Sequence, residues 1–435
     1  MYQRRHLNIL KSRMAEPRRR MQIVMGPCQV GKSTLVGQFT EGVSVPFDFF
    51  AADGVNRFDS SWIPNKWQQV RMRMDIHSEQ EHILIIDEVQ KIRGWSEQVK
   101  KEWDEDSRSH RNLKVILLGS PRLLLQKGLE ESLEGRFETI KMGYWDWQEM
   151  HEAFGFSMDE YVYFGGFPGL APDIQDEDRW RNLMEDSIIS PILTRDILEI
   201  EEIRNPALLR QVFELACIES AKELSLTKMQ GTMNSGTVPT IKNYLDILNK
   251  SMIVQALQNY SPSRVKEKQS VPKMQVFNNA FRNRFGTFSF DEARVDPAEW
   301  GRLVESAVGA HLANRAMTDD YELFYWRNER RQECDYVLRK GQALVAIEVK
   351  SGSVDKTVGF EKFKEQFADN VTAIHCWPPC SASGRFLHNG SEVTVQKGLA
   401  HAIAVISIAV IILSMDCPSV TNHPESMTSL LQCLS

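Results

Sequence analysis

The chain lacks the features that mark a zinc-binding, disulfide-rich or membrane-spanning protein. Its 435 residues include seven cysteines without any C-x-x-C spacing, so neither a zinc site nor a disulfide framework is expected. No signal peptide is visible at the N-terminus. The longest apolar run, residues 399–413, is broken only by His401 and Ser407 and is shorter than the roughly 20 residues that a membrane span needs. We therefore expect a cytoplasmic protein without a membrane partner; a C-terminal anchor is the alternative.

An excess of positive charge is also missing. The sequence holds 52 lysines and arginines against 58 aspartates and glutamates, a net charge of −6, so any contact with DNA or RNA must come from a local patch. One basic cluster lies near the N-terminus, and we interpret it as a solvated helix rather than a nucleic-acid contact. Its members are Arg4, Arg5, Lys11, Arg13, Arg18, Arg19 and Arg20.

The length predicts two to four domains. From residue 21 to residue 144, strand-like and helix-like segments alternate, which is typical of an α/β fold with a parallel sheet and helices on both faces. The predicted strands are 22–25, 45–49, 83–86, 115–118 and 138–141.

A complete phosphate-binding motif, G-x-x-x-x-G-K-S, lies between the first predicted strand and a helix that begins near residue 33. In such a loop, successive backbone N–H groups surround phosphate oxygens, and the helix N-terminus adds its positive dipole end. Lys32 is predicted to reach the β- and γ-phosphates, and the Ser33 hydroxyl to bind Mg²⁺. The predicted nucleotide-binding residues are Gly26, Pro27, Cys28, Gln29, Val30, Gly31, Lys32, Ser33 and Thr34.

Two further strands carry polar residues at their carboxyl ends. The strand at 83–86 is followed by Asp87, predicted to hold Mg²⁺ through water, and by Glu88, predicted to deprotonate the attacking water. The strand at 115–118 is followed by Ser120, which is either a sensor of the γ-phosphate or a turn residue. A metal ligand and a base together predict ATP hydrolysis.

The middle of the chain is predicted to be mostly helical. Residues 145–200 are interrupted by a Gly-Gly-Phe-Pro-Gly turn at 165–169. Residues 206–260 have the pattern of a winged helix, with helices at 206–219, 225–231 and 237–250, a strand at 252–257 and a return from residue 259. The third helix exposes Lys242, Asn243 and Lys250, and we favour a packing module over a DNA contact.

A second acidic constellation follows a predicted polar linker at 261–273. In the strand at 343–350, Glu348 and Lys350 share one face, and Asp335 lies on the preceding strand. Glu305 lies on a predicted helix at 300–314. Such carboxylates can hold Mg²⁺ or Mn²⁺ while a lysine polarises the attacking water, as in restriction-endonuclease-like folds. The alternative for Glu348 and Lys350 is a surface ion pair.

Taken in order, these motifs resemble prokaryotic AAA-type P-loop ATPases that carry a C-terminal restriction-endonuclease-like domain of unknown function. The resemblance covers about residues 10 to 370. It rests on the motifs at 26–33, 85–90, 117–120, 131–137, 165–168, 195–197, 300–305, 333–338 and 346–350.

The resemblance implies Mg²⁺ coordination through Ser33 and Asp87 and water activation by Glu88. It also implies that Arg136 is an arginine finger, in cis or from a neighbouring subunit; a salt-bridged structural arginine is the alternative. The sequence departs from the family at Cys28, where arginine is frequent, and in the C-terminal tail beyond about residue 367.

These inferences predict an ATPase core at 1–145, a helical lid at 146–205, a winged helix at 206–260, a restriction-endonuclease-like domain at 261–375 and an atypical tail at 376–435. The predicted function is a Mg²⁺-dependent ATPase whose nucleotide state controls the nuclease-like domain. The alternative is a regulatory switch ATPase with a catalytically silent, partner-binding C-terminal domain. The expected partners are ATP and, among the alternatives, DNA or RNA, a second copy of the chain or another protein.

Overall fold

The computed structural model describes residues 1–120, 133–197, 203–349 and 358–367, together with the backbone of three strands at 371–376, 384–388 and 391–395. Lys350, residues 399–413 and most of the predicted tail lie outside the described residues, so the predictions made for them stay predictions. Among the described helices, none combines the length and the apolar character needed to cross a bilayer.

A five-stranded parallel sheet forms the N-terminal part, in the strand order β2-β3-β4-β1-β5. The three central strands are buried along their whole length, which explains why their sequences are mostly apolar. One apolar core lies on each face of the sheet, so the predicted α/β fold and all five predicted strands are confirmed. The strands are β1 (Met21–Met25), β2 (Phe47–Ala51), β3 (His82–Asp87), β4 (Leu113–Gly119) and β5 (Phe137–Lys141), and the helices are α1 (His6–Ala15), α2 (Lys32–Thr40), α3 (Trp62–His77) and α4 (Trp95–Arg108).

The basic N-terminal cluster is solvated only in part: Arg5, Lys11, Arg19 and Arg20 are exposed, whereas Arg4, Arg13 and Arg18 contact other parts of the protein. Arg4 is buried and forms a two-pronged ion pair with Glu149. The Arg18 guanidinium lies 3.5 Å from the ring centre of Trp103 and donates to the Leu113 carbonyl. Helix α1 is therefore docked against the N-terminal parallel sheet. Sequence reasoning missed this contact because the partners are about a hundred residues away.

The helical middle part agrees with its prediction, including the turn at 165–169. Its elements are α5 (Trp147–Phe154), α6 (Met158–Phe164), a 3₁₀ turn (Pro168–Asp173), α7 (Glu177–Leu183) and π-helical turns at Met184–Ile189 and Ile192–Ile197. Gly165 has φ +71° and ψ −162°, a backbone conformation that is almost restricted to glycine. A Cβ atom at this position would lie 1.9 Å from Oδ1 of Asn278, because the turn packs directly against the segment after residue 276.

Residues 206–276 form three helices and a two-stranded antiparallel sheet. The helices are α8 (Pro206–Ile218), α9 (Leu226–Met233) and α10 (Val238–Lys250), and the strands are β6 (Val254–Leu257) and β7 (Lys273–Val276). The buried stripe predicted for the third helix is present at Ile241, Tyr244, Leu245 and Leu248, while Lys242 and Asn243 are exposed. Lys250 pairs with Asp246 at 2.7 Å. The assignment of this part as a winged helix stays a prediction.

Two details of the prediction for this region are wrong. The partner of β6 is β7, not a strand that begins at Asn259. The predicted polar linker at 261–273 contains a short helix, α11 (Arg264–Gln269), and ends at the buried Lys273, the first residue of β7. The polar composition of this segment suggested a linker. Composition alone does not reveal that two carboxylates neutralise Lys273.

A mixed six-stranded sheet forms the C-terminal part, in the order β13-β12-β11-β10-β9-β8. Only β10 and β11 pair in parallel. Two of its strands lie beyond residue 375, where the sequence predicted the domain to end. The elements are α12 (Asn279–Arg284), α13 (Phe290–Val295), α14 (Pro297–Asp319), β8 (Glu322–Arg327), β9 (Glu333–Lys340), β10 (Ala343–Val349), α15 (Val358–Gln366), β11 (Val371–Cys376), β12 (Gly384–His388) and β13 (Ser391–Val395).

We predict that Gly165→Ala lowers the free energy of unfolding by about 3 kcal/mol or more, because it adds both backbone strain and a clash with Asn278. Gly155→Ala is the matched control: Gly155 also has positive φ, but nothing lies within 4 Å of its Cβ position. Gly155→Ala should lower the free energy of unfolding by about 1 to 2 kcal/mol. Chemical denaturation of both variants measures the difference. Equal losses would contradict the tight packing at Gly165.

Candidate functional site

The phosphate-binding loop lies at the carboxyl edge of the parallel sheet, between β1 and α2. Gly31 has φ +89°, a left-handed conformation that directs the chain into the first turn of α2. The approach of the loop to β5 is close, since a Cβ at Gly26 would lie 2.3 Å from the Met142 carbonyl oxygen. Lys32 is buried, and its Nζ donates to the carbonyls of Gly26 and Pro27 at 2.9 Å each. The lysine thus lies across the loop that the motif predicts to hold phosphates.

Ser33 and Asp87 lie side by side at this edge. The Ser33 hydroxyl donates to Oδ2 of Asp87 at 2.9 Å, and Asp87 is buried at the end of β3. Oδ1 of Asp87 accepts the backbone N–H of Glu88 at 2.9 Å, which fixes the carboxylate. A hydroxyl and a carboxylate oxygen in contact beside a phosphate-binding loop are the donor set that Mg²⁺ prefers. The residues present therefore fit the expected metal.

Glu88 follows in a left-handed conformation, with φ +54°. This is uncommon for a residue other than glycine and is frequent at functional sites. The amide of Gln90 donates to Oε2 of Glu88 at 2.6 Å and is itself buried. Sequence reasoning missed Gln90, although a glutamine two residues after the acidic pair was visible within the motif at 85–90.

Ser120 is buried immediately after β4, beside the loop. The carbonyl of the preceding Gly119 accepts the N–H of Gly26 at 3.4 Å. Within the described part of the chain, Oγ of Ser120 has no hydrogen-bond partner. A buried hydroxyl that lacks a protein partner fits contact with a ligand oxygen better than a turn residue.

The remaining loop residues connect the site to the lid and to the N-terminus. Gln29 donates its amide to the Ser187 carbonyl at 2.6 Å. The Val30 carbonyl accepts from the Arg4 guanidinium at 3.2 Å and from the Trp145 indole at 3.0 Å. Cys28 is half-buried and packs against the main apolar core. The loop is thus held by three parts of the molecule.

A cavity of about 540 Å³ adjoins the loop, large enough for a nucleoside. It lies between α2, the first residues of the chain and the lid, and it was not predicted from the sequence. The reason is that its walls come from segments more than a hundred residues apart. They include Tyr2, Thr34, Leu35, Trp145, Phe154 and Pro168.

Arg136 lies at the opposite edge of the sheet. It directly precedes β5, which runs parallel to β1, so it is separated from the loop by the length of a strand, about 16 Å. Its guanidinium forms two hydrogen bonds with Asp104, at 2.8 and 3.1 Å, and this ion pair raises the pKa of Arg136. This position contradicts an arginine finger in cis and agrees with the structural alternative. A role towards a neighbouring subunit stays a prediction.

At the second predicted site, Glu305 and Asp335 face Lys273. The Lys273 Nζ lies 2.5 Å from Oε1 of Glu305, 3.9 Å from Oδ1 of Asp335 and 3.2 Å from the Asp335 carbonyl oxygen. Oδ2 of Asp335 accepts the N–H of Val349 at 2.7 Å. Glu348 is buried on β10, next to Ile347, which pairs with Tyr336. Glu305 and Asp335, which the sequence predicted to lie together, are thus close in the structure, and sequence reasoning missed the lysine between them.

Burial and charge shift the ionisation of this cluster. Burial raises the pKa of Glu305 to about 7, although the adjacent Lys273 ammonium opposes this effect. For Lys273, burial alone lowers the pKa, but Glu305 and Asp335 outweigh it, so the net pKa is raised. Glu305 and Asp335 therefore favour the charged form of the Lys273 amine. Among the side chains that the structure describes, no three acidic, histidine or cysteine residues are grouped as metal ligands. Lys273 lies between two of the three predicted metal ligands, Glu305 and Asp335.

The two sites are connected by α14. Its Asn314 accepts the N–H of Tyr144 through Oδ1 at 3.0 Å, and Lys141 donates to the Met317 carbonyl at 2.9 Å. Glu305 lies on the same helix, nine residues or about 14 Å earlier. The segment after β5 and the C-terminal domain are therefore in direct contact.

Comparisons with known proteins agree with the first site and leave the second without an assigned role. Residues 18–151 match the family described as AAA domain. Residues 155–290 match a domain of unknown function, DUF8612, and residues 300–377 match another, DUF4143. No curated protein matches the chain.

Two of the solved structures that match the chain illustrate a weak resemblance. An arginine-to-alanine variant of RuvB from Thermotoga maritima is 12% identical, with a TM-score of 0.30, and the match covers 61% of this chain and 90% of that one. RIF2 from Saccharomyces cerevisiae is 12% identical, with a TM-score of 0.27 and coverage of 54% and 84%. Both TM-scores are too low to indicate a shared fold. The family match at 18–151 and the geometry of the loop together identify the N-terminal part as an AAA-type P-loop ATPase domain.

Proposed function

We propose that the protein is a Mg²⁺-dependent ATP hydrolase whose nucleotide state acts on the C-terminal domain. The observation that carries this proposal is the contact between the Ser33 hydroxyl and the Asp87 carboxylate, beside the buried Lys32. Bound Mg²⁺ would neutralise negative charge on the phosphates during phosphoryl transfer. Ser33 and Asp87 would hold it, and Lys32 would exchange its loop carbonyls for phosphate oxygens.

Glu88 is proposed to take the proton of the attacking water. Its backbone is fixed by Asp87, and its carboxylate is oriented by Gln90, so the base is positioned before substrate binds. Ser120 supplies a hydroxyl for the γ-phosphate. The cavity of about 540 Å³ would accept the nucleoside. This assignment gives each polar group at the edge of the sheet a role in binding or hydrolysis.

Signals from the nucleotide are proposed to reach the C-terminal domain through residues 143–145. The Gly143 carbonyl accepts from Arg4 at 3.1 Å, and the same guanidinium donates to the loop carbonyl of Val30. Tyr144 donates to Asn314, and Trp145 donates to Val30. A movement of the loop would therefore shift residues 143–145 and change the support that Tyr144 gives to α14.

For the C-terminal domain we favour the regulatory, partner-binding role over nuclease activity. The ion pair between Lys273 and Glu305 leaves the acidic site without an open position for a metal. The adjacency of the buried Asp335 and Glu348 is the observation that supports the nuclease alternative. Incubation of plasmid DNA and single-stranded RNA with Mg²⁺ or Mn²⁺ separates the two. Cleavage that is lost in Asp335→Ala would establish the nuclease.

We predict that Glu88→Gln retains ATP binding but lowers the rate of hydrolysis by about 100-fold or more, because glutamine keeps the hydrogen-bonding shape without the base. Lys32→Ala should lose ATP binding itself. The checks are binding of a fluorescent ATP analogue and release of phosphate, both with Mg²⁺. Unchanged hydrolysis in Glu88→Gln would refute the assigned base.

We also predict that Asn314→Leu weakens binding of the fluorescent ATP analogue by about three- to tenfold, since residues 143–145 lose an anchor. Arg302→Ala, on the exposed side of the same helix, is the control and should bind as the parent protein does. Thermal unfolding verifies that both variants are folded. Equal affinity in all three proteins would show that α14 does not influence the nucleotide site.

A further inference from the structure

The position between Glu305 and Asp335, where the sequence predicts a divalent metal, holds the Lys273 ammonium. Its Nζ is 2.5 Å from Glu305 and 3.9 Å from Oδ1 of Asp335, and it also donates to the Asp335 carbonyl. The lysine side chain is about 8% exposed, so solvent contributes little to its stabilisation. We infer that Lys273 is a built-in cation that fills the metal position of the C-terminal site and excludes divalent ions from it.

Charge makes the two cations mutually exclusive. A metal bound by Glu305 and Asp335 would lie within a few ångströms of the ammonium, where repulsion between cations in a buried site is strong. Displacing the ammonium instead would leave a buried charge without its partners, which is more costly than leaving the site unchanged. One of the two Asp335 oxygens is also engaged by the Val349 N–H.

The backbone holds Lys273 in this position. It starts β7, where it pairs with Leu257 of β6 and forms a bridge with Glu223 on the other side. The Nζ also lies 4.8 Å from the ring centre of Tyr336, whose hydroxyl donates to Gln275 and to the Glu305 carbonyl. Moving the ammonium away from the carboxylates would also remove its contact with the Tyr336 ring.

This inference does not depend on ATP hydrolysis at the first site. It implies that the attraction between the Lys273 ammonium on β7 and the carboxylates of Glu305 and Asp335 holds β7, α14 and β9 together. A metal could enter only if the Lys273 ammonium left the two carboxylates. The cluster is therefore a structural joint in the arrangement described here, and it becomes a metal site only when the lysine charge is removed.

The test is Mn²⁺ binding to the full-length, nucleotide-free protein, measured by electron paramagnetic resonance and by the shift of the unfolding temperature. Lys273→Met should bind one more Mn²⁺ than the parent protein. Its affinity for this added ion should exceed any affinity of the parent protein for Mn²⁺ at the same site by about tenfold or more. Mn²⁺ should raise its unfolding temperature. Lys273→Arg keeps the cation and should behave like the parent. Lys273→Met combined with Asp335→Asn should lose the added ion.

Equal Mn²⁺ binding by the parent and Lys273→Met would overturn the inference. If Lys273→Met does not fold, the parent protein itself still decides. Its Mn²⁺ stoichiometry should be unchanged by Asp335→Asn, because the site holds no metal when Lys273 is present. Loss of a bound Mn²⁺ in that variant would mean that metal and lysine share the site, which contradicts the inference. Any Mn²⁺ bound at Ser33 and Asp87 is common to all variants and cancels in the comparison.

Discussion

The amide side chain of Asn314 joins the nucleotide-binding half of the molecule to the C-terminal half. It accepts the Tyr144 N–H from the segment after β5, and it donates to the carbonyls of Phe277 and Ala310. A short side chain can make these bonds only if α14 approaches the segment closely, and a Cβ at Gly143 would indeed lie 2.9 Å from Oδ1 of Asn314. The relation between the two sites depends on this contact, because a single continuous helix then extends from the sheet of the ATPase domain to Glu305.

A buried polar network continues from α14 into the rest of the C-terminal half. Ser306 donates to Asn279, which in turn donates to the Val162 carbonyl of the lid. Gln275 donates to the Ser306 carbonyl and accepts from Tyr336. Buried polar groups are costly unless each has a partner, so such a network specifies one arrangement of lid, β7 and α14. The Lys273–Glu305 ion pair is the last member of this network, at the acidic site. The need of buried polar groups for partners thus positions the lid over the loop and also keeps the lysine in the second site.

The sequence was sufficient where function depends on local pattern. The strands of the first sheet, the loop at 26–33 and the pair Asp87 and Glu88 could be predicted because periodicity and spacing encode them within a few residues. It was insufficient where contacts join distant segments. Lys273 looked like the end of a linker, since a buried lysine is unusual and its neutralising carboxylates are 32 and 62 residues away. The same reason explains why the docked Arg4, the contacts of Asn314, the walls of the cavity and the ion pair between Arg136 and Asp104 could not be predicted.

We propose that binding of nucleotide is coupled to the C-terminal domain through α14. Hydrogen exchange of the full chain, with and without Mg²⁺ and a slowly hydrolysed ATP analogue, measures this coupling. We expect slower exchange in the loop and also in residues 141–146, in α14 and in β7. Slower exchange that is confined to the loop and the end of β3, with α14 and β7 unchanged, would contradict it.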